Sequence, residues 1–161
     1  MMDAVVDTDI LSTFAKLEKL RLLTRLFPKS RILICPSVYK EIKRGESKGM
    51  VRFSMTTGFD RIKLELPEKR FVRGIRESRN LSLGDAECIS VARNRKCLLL
   101  TNDAHSQKLA DTLSIPHLSL PSLLRGLWTN NITTKNRLDE LIKEIERRDR
   151  IVIKNKALIF A

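Results

Sequence analysis

The sequence predicts an α/β fold built around a parallel sheet, and three observations carry that expectation. Short, continuous apolar runs recur at residues 3–7, 31–35 and 97–101. Such runs suit strands buried on both faces. Stretches with apolar residues at three- and four-residue spacing lie between them, as βαβ connections require. The chain has 161 residues, 42% hydrophobic and 31% charged, which fits one ordinary globular domain with a full core.

In chain order, residues 3–7 read as the first strand. Thr8 and Asp9 can cap a helix that continues through Ile10, Leu11, Phe14 and Leu17. A second amphipathic stretch, Leu20 to Phe27, stops at Pro28. Arg31 to Cys35 is the second strand, and Pro36 suits the first position of the next helix. That helix has Val38 and Ile42 on one face, with Glu41 at its border. Residues 43–50, basic and Gly-containing, read as a mobile connection or a short helix. Phe59 to Leu66 alternates as a strand would, through Ile62, Leu64 and Leu66. Pro67 to Asn80 reads as a basic helix. Leu81-Ser-Leu-Gly turns into a helix over 84–95, in which Asp85, Ile89 and Ala92 share a face. Glu87 falls about 200° from Asp85 on a regular helix, so it is expected beside the site or in solvent. Cys97 to Thr101 is the clearest buried strand. A helix over 104–113, a short strand over 115–118 and helices over 121–128 and 138–148 follow. In the last of these Leu138, Leu141, Ile142 and Ile145 form a stripe better suited to core packing than to an interface.

Composition narrows the chemistry. Cys35, Cys88 and Cys97 are odd in number and lack metal-ligand spacing, and they read as buried reduced thiols. His105 and His117 have no partner at ligand spacing. Together these argue against a zinc centre or a thiol nucleophile. No apolar run approaches the roughly 20 residues needed to span a bilayer. The start, Met-Met-Asp-Ala, has no basic region leading into a long apolar run, so the expected localisation is cytoplasmic. A net charge of +12 and a pI of about 10.1 favour a polyanionic partner such as nucleic acid. A merely charged surface is the competing reading.

Four carboxylates stand out against that basic background. Asp7 and Asp103 each follow an apolar strand, while Glu41 and Asp85 sit on helices that start near the same sheet edge. Ligands of open α/β sheets bind beyond the carboxyl ends of the strands, so the four can converge although far apart in sequence. An oxygen-only donor set without His or Cys suits Mg²⁺ or Mn²⁺. Singly, each acid has a plainer reading. Asp7 and Asp103 can be helix N-caps, Glu41 a solvated helix residue, and Asp85 an ordinary first-turn acid. A phospho-receiver also gathers acids at strand ends, but a middle-strand acceptor Asp and a late Lys are missing.

The segments Val5-Val-Asp-Thr-Asp-Ile-Leu, Pro36-Ser-Val-Tyr-Lys-Glu-Ile, Leu83-Gly-Asp-Ala-Glu-Cys-Ile and Leu99-Leu-Thr-Asn-Asp resemble the four acidic motifs of PIN-domain proteins. The resemblance covers roughly residues 3–130, leaving 131–161 as a C-terminal helix and tail expected to pack on the same domain. It implies a three-layer sandwich with a mostly parallel sheet between helices. It also implies an Mg²⁺- or Mn²⁺-dependent endoribonuclease that hydrolyses RNA phosphodiesters, often the VapC toxin of a toxin–antitoxin pair. By motif, Asp7, Asp85 and Asp103 correspond to the metal ligands and Glu41 to the fourth catalytic acid, with Thr8 and Thr101 as supporting hydroxyls. An antitoxin partner and a homodimer are implied in the same way. A catalytically silent RNA-binding or scaffold module of the same fold is the alternative. The sequence departs from the pattern at Asp9, where Ser or Asn is commoner, and at Asn102, where another acid often stands. Residues 46–80 and 131–161 match nothing specific.

Overall fold

The computed structural model describes residues 2–53 and 57–161. Five parallel strands form one sheet: β1 (Ala4–Val6), β2 (Ile32–Ile34), β3 (Phe59–Arg61), β4 (Leu98–Leu100) and β5 (His117–Leu118), in the order β3-β2-β1-β4-β5. Nine helices surround it among the described residues: α1 (Thr8–Lys16), α2 (Leu20–Leu26), α3 (Pro36–Ser47), α4 (Leu66–Arg79), α5 (Leu83–Arg95), α6 (Ala104–Thr112), α7 (Leu120–Thr129), α8 (Lys135–Asp149) and α9 (Lys156–Ile159). The α/β class and the parallel sheet are as the sequence predicts.

The three inner strands are apolar throughout because both their faces are covered. Ala4 to Val6, Ile32 to Ile34 and Leu99 to Leu100 are all almost fully buried. From β1 the chain winds outward through β2 to β3, then crosses back to lay β4 on the other side of β1. The strand order therefore reverses between β1 and β4, where a parallel sheet opens a crevice beyond its carboxyl ends. Val6 pairs with Leu100 at that point, so Asp7 and Thr101 leave the sheet side by side.

The outer strands are shorter than the sequence reading suggests. The expected strand over 59–66 ends at Arg61, with Ile62 N–H donating to Ile34 O as the final rung. The chain then turns into α4, whose N-terminus carries a capping box made by Glu65 and Glu68. Residues 43–47 continue α3 rather than forming a loop. Gly45 lets the returning chain close in, since a Cβ there would stand 3.2 Å from Val51. Glu46 accepts from Phe53 N–H and so ties that return to the helix.

Helix α5 is buried on nearly every side from Gly84 to Ala92, so each polar group on it needs a partner. Ser90 donates to Glu68 O at 2.8 Å. Glu68 is itself fully enclosed, accepting from Arg95 at 2.8 and 3.0 Å, from Asn94 at 3.1 Å and from Glu65 N–H at 2.7 Å. Burial opposes its charge, but the Arg95 guanidinium and the other donors outweigh burial and hold its carboxyl below the ordinary range. Glu68→Ala is therefore expected to cost about 3–5 kcal/mol, because Arg95 and the start of α4 lose their shared partner. Urea unfolding measures this. The folded pKa is lowered, so this stabilisation is present above the ordinary Glu range and fades as the pH falls through the folded value.

The stripe Leu138, Leu141, Ile142 and Ile145 lies in the core, as its spacing suggests. The segment after α8 folds back on the domain. Ile153 and Ile159 are buried, Glu146 accepts from Ile153 N–H, and Arg125 donates to the carbonyls of Leu158 and Ala161. Cys35, Cys88 and Cys97 are buried free thiols. Among the described residues no helix is long and apolar enough to cross a membrane.

Candidate functional site

The site is assembled at the sheet's switch point from β1, α1, α3, α5 and the end of β4. Asp7, not Thr8 or Asp9, is the N-cap of α1: its Oδ1 accepts from Ile10 N–H at 2.8 Å. Its Oδ2 accepts from the Thr101 hydroxyl at 2.6 Å. The side chain thus has both the capping role and the inward position that its sequence context allows. Thr101 Oγ1 in turn accepts from Asp103 N–H at 3.2 Å, while Gln107 donates to Thr101 O. Asp103 caps α6 through Ser106 N–H at 2.8 Å.

A cavity of about 170 Å³ opens among Asp7, Thr8, Asp9, Glu41, Ser82, Gly84 and Asp85. Three of the four acids singled out in the sequence therefore share one wall-to-wall space. Asp103 does not line it, but faces an adjoining cleft of about 470 Å³. Asp9 lines both spaces and joins them. Its role was open in the sequence; it is an additional acid of the site and not the helix cap. No lysine or arginine lines the smaller cavity.

Gly84 brings Glu41 into place. A Cβ at that position would stand 3.3 Å from Glu41 Oε1 and 3.9 Å from Thr8 Oγ1, so the bare helix turn of α5 is what admits the Glu41 carboxylate. Asp85 is in the first turn of α5, and its own N–H is capped by Ser82 Oγ at 3.2 Å.

The electrostatics show how closely these groups are gathered. Burial pushes the Asp7 carboxyl up to about 7, against the opposing pull of Thr101 and Ile10 N–H, with Asp9 and Asp85 adding to the rise. Asp9 is raised by burial and then by Glu41, Asp103 and Asp149. Asp85 is raised by burial and then by Asp103, Asp9 and Glu41, with Ser82 opposing. Uncompensated carboxylates at close quarters behave in this way. Among the described residues, no three His, Cys, Asp or Glu side chains form a ready-made metal-ligand set. Both Asp7 oxygens and one Asp103 oxygen are occupied by hydrogen bonds within the protein.

Two neighbours take other jobs. Glu87 is not solvated: it is buried and accepts from Ser37 N–H and Ser37 Oγ, both at 2.9 Å. It satisfies the first turn of α3, the helix that carries Glu41. Its neighbours Ala86 and Cys88 to Ala92 are buried too, so the acid needs a partner there. Asn102 accepts from Leu120 N–H at 3.2 Å and anchors α7 to the end of β4. Asp149, at the far end of α8, was not anticipated. It accepts from Thr13 at 2.7 Å and Lys16 at 2.9 Å, and its charge reaches Asp9.

A parallel α/β sheet with a nest of carboxylates at its switch point places the chain among α/β proteins with an acidic crevice site. The family model described as DUF3368, a PIN domain, matches residues 3–158. The chain belongs to the PIN-domain family. Among solved structures it is similar to the VapBC2 complex from Rickettsia felis bound to a DNA fragment from its promoter. That match has 18% identity and a TM-score of 0.53, and covers 73% of this chain and 98% of that one. The chain is also similar to a toxin–antitoxin complex from Klebsiella pneumoniae, with 18% identity and a TM-score of 0.47, covering 63% and 87% of the respective chains. The Rickettsia likeness supports the fold. No curated protein matches the chain at a significant level.

Proposed function

We propose that this chain is an endoribonuclease that uses Mg²⁺ or Mn²⁺ held by carboxylates to hydrolyse RNA phosphodiesters. One observation carries the reading: Asp7, Asp9, Glu41 and Asp85 enclose a cavity with no basic side chain, and Asp103 stands close enough to raise two of them. Leaving such a group uncompensated is unfavourable, and a hard divalent cation is the compensation that an oxygen-only donor set accepts best. Asp7, Asp85 and Asp103 would hold the ion. When bound, it would lower the pKa of water and neutralise charge on the scissile phosphate.

The protein's own groups have separable tasks in this reading. Thr101 and Ile10 N–H fix the Asp7 carboxylate in one orientation. Glu41, seated against Gly84, would accept a proton from an attacking water. Asp103 would join them from the adjoining cleft of about 470 Å³, which would take part of the strand. The +12 net charge supplies the long-range attraction for RNA.

The family and the VapBC2 likeness favour a toxin role with an antitoxin protein as partner; a homodimer as the working form is part of the same proposal. The missing ready-made ligand set favours a second reading, a catalytically silent RNA-binding or scaffold module. Incubation with a labelled single-stranded RNA separates the two. Cleavage in Mn²⁺ or Mg²⁺ that EDTA abolishes is the expected result. Salt-sensitive binding without cleavage in either metal would support the silent module instead.

A further inference from the structure

The 470 Å³ cleft beside the acidic cavity has a basic wall that the chemistry above does not use. Its lining includes the acids Asp9, Asp103 and Asp149 together with Lys16, Arg148 and Arg150. The two arginines come from the end of α8, a segment whose sequence suggests no role. That end is fastened to α1, the helix that carries Asp9. Arg148 donates to Lys16 O at 3.1 Å, and Asp149 binds both Lys16 and Thr13.

The three cations are not equivalent. Asp149 neutralises Lys16 at 2.9 Å. Arg148 has a weak neighbour in Glu144 at 3.9 Å and stays half-exposed. Arg150 is exposed, and among the described residues its side chain has no ion pair and no hydrogen bond. It extends from the left-handed residue that ends α8, with φ 53°. An exposed guanidinium without a partner, in a cleft shared with Asp103 and Asp9, is suited to an anion. A polynucleotide backbone offers several: with one phosphate near a cation that the carboxylates would hold, a neighbouring phosphate would need a fixed positive charge. The planar fork of arginine matches a phosphate better than a lysine ammonium does.

We propose that Arg148 and Arg150 form a phosphate-binding subsite that receives the RNA backbone next to the carboxylate site. Arg150 is the main contact and Arg148 the fixed one. This inference rests on the ribonuclease reading. It gives the α8 terminus a positioning role: phosphate contacts set the register of the strand without reading its sequence.

Arg150→Gly is the decisive variant, because glycine is the residue most at ease in the left-handed position after a helix. Its thermal midpoint is expected to equal or exceed that of the wild type. Binding of a labelled single-stranded RNA of about 12 nucleotides, measured by anisotropy in EDTA across a salt series, is expected to weaken by about five- to tenfold. The slope of log K against log salt should become shallower by about 0.7, the value for one lost phosphate contact on a single strand. Arg148→Ala combined with Arg150→Gly should roughly double the change in slope. Arg147→Ala removes a charge one residue before Arg148 and outside the cleft lining, and is expected to leave the slope unchanged. Wild-type affinity and slope in Arg150→Gly, or an equal loss in Arg147→Ala, would overturn the subsite while leaving the ribonuclease reading intact. Absence of salt-sensitive RNA binding by the wild type would overturn the subsite, whereas absence of cleavage by the wild type in Mn²⁺ or Mg²⁺ would overturn the ribonuclease reading.

Discussion

Asp85→Asn is expected to lower RNA cleavage by about a thousandfold while leaving the fold unchanged. The size follows if Asp85 is the charged ligand proposed above, acting on the transition state, an effect of about 4 kcal/mol at 1.36 kcal/mol per tenfold. The clean separation from stability follows from the local structure. Ser82 caps α5 through the backbone N–H of residue 85, and that bond does not depend on the Asp85 carboxylate. The carboxylate itself is held above its ordinary pKa by burial and by Asp103, Asp9 and Glu41. Replacing it with a neutral amide relieves repulsion and loses a modest first-turn charge effect, and these nearly cancel. Single-turnover cleavage in Mn²⁺ together with urea unfolding in EDTA checks both halves. Cleavage within a few-fold of wild type would remove Asp85 from the chemistry.

Asp7→Asn is expected to move activity and stability in opposite directions. Cleavage should be lost to a similar degree. In EDTA at neutral pH, however, the variant should be more stable than wild type by about 2 kcal/mol. Asp7 is almost fully buried, and its folded pKa is pushed up from 3.8 to about 7. The sign follows directly. The folded chain holds a proton there that the unfolded chain releases, so wild-type stability falls as the pH rises from about 4 to about 7, and its Asp7 contribution is level above that. An Asn side chain has no such dependence. Its oxygen can still accept from Ile10 N–H, and its amide can donate to the rotatable Thr101 hydroxyl. Thermal unfolding across this pH window in EDTA should show a decline in wild type that is reduced in the variant. Added Mn²⁺ should raise the wild-type midpoint at neutral pH by mass action and leave the variant nearly unmoved. Such opposition between function and stability is common where a site is held ready for a ligand.

The parts of the fold legible in the sequence are those where one physical demand dominates. Residues 4–6, 32–34 and 99–100 of the inner strands are buried on both faces, so nothing but apolar side chains fits. Their order in the sheet then places Asp7 and Thr101 side by side without further information. The edges were less legible. At β3 the alternation of Ile62, Leu64 and Leu66 imitates a strand, but Leu66 is exposed and begins α4. The capping box there uses Glu65 where Ser or Thr is the usual signal. By composition residues 43–50 allow a mobile connection or a short helix, and 43–47 take the helical form as the end of α3. They are helical because Gly45 makes room for Val51 and Glu46 holds Phe53, contacts made by a chain segment that returns from outside the helix.

The same distinction applies to the site. Asp7, Glu41 and Asp85 come together as their motif positions imply, but Asp103 faces the second cleft. The joining acid is Asp9, two residues past Asp7, whose extended backbone makes Asp7 the cap. Helical phase correctly separated Glu87 from Asp85, yet gave no hint that Glu87 would be buried. That depends on Ser37 arriving from another helix. Asp149, Arg148 and Arg150 could not be placed at all, because local spacing carries no information on where the end of α8 docks.

In the proposed function this nest of carboxylates holds a divalent cation. A crystal soaked in Mn²⁺ and measured at the manganese absorption edge tests this. An anomalous peak among Asp7, Asp85 and Asp103 is expected in the wild type, lost in Asp85→Asn. A wild-type protein that cleaves RNA with no peak there, or with its only peak elsewhere, would contradict it.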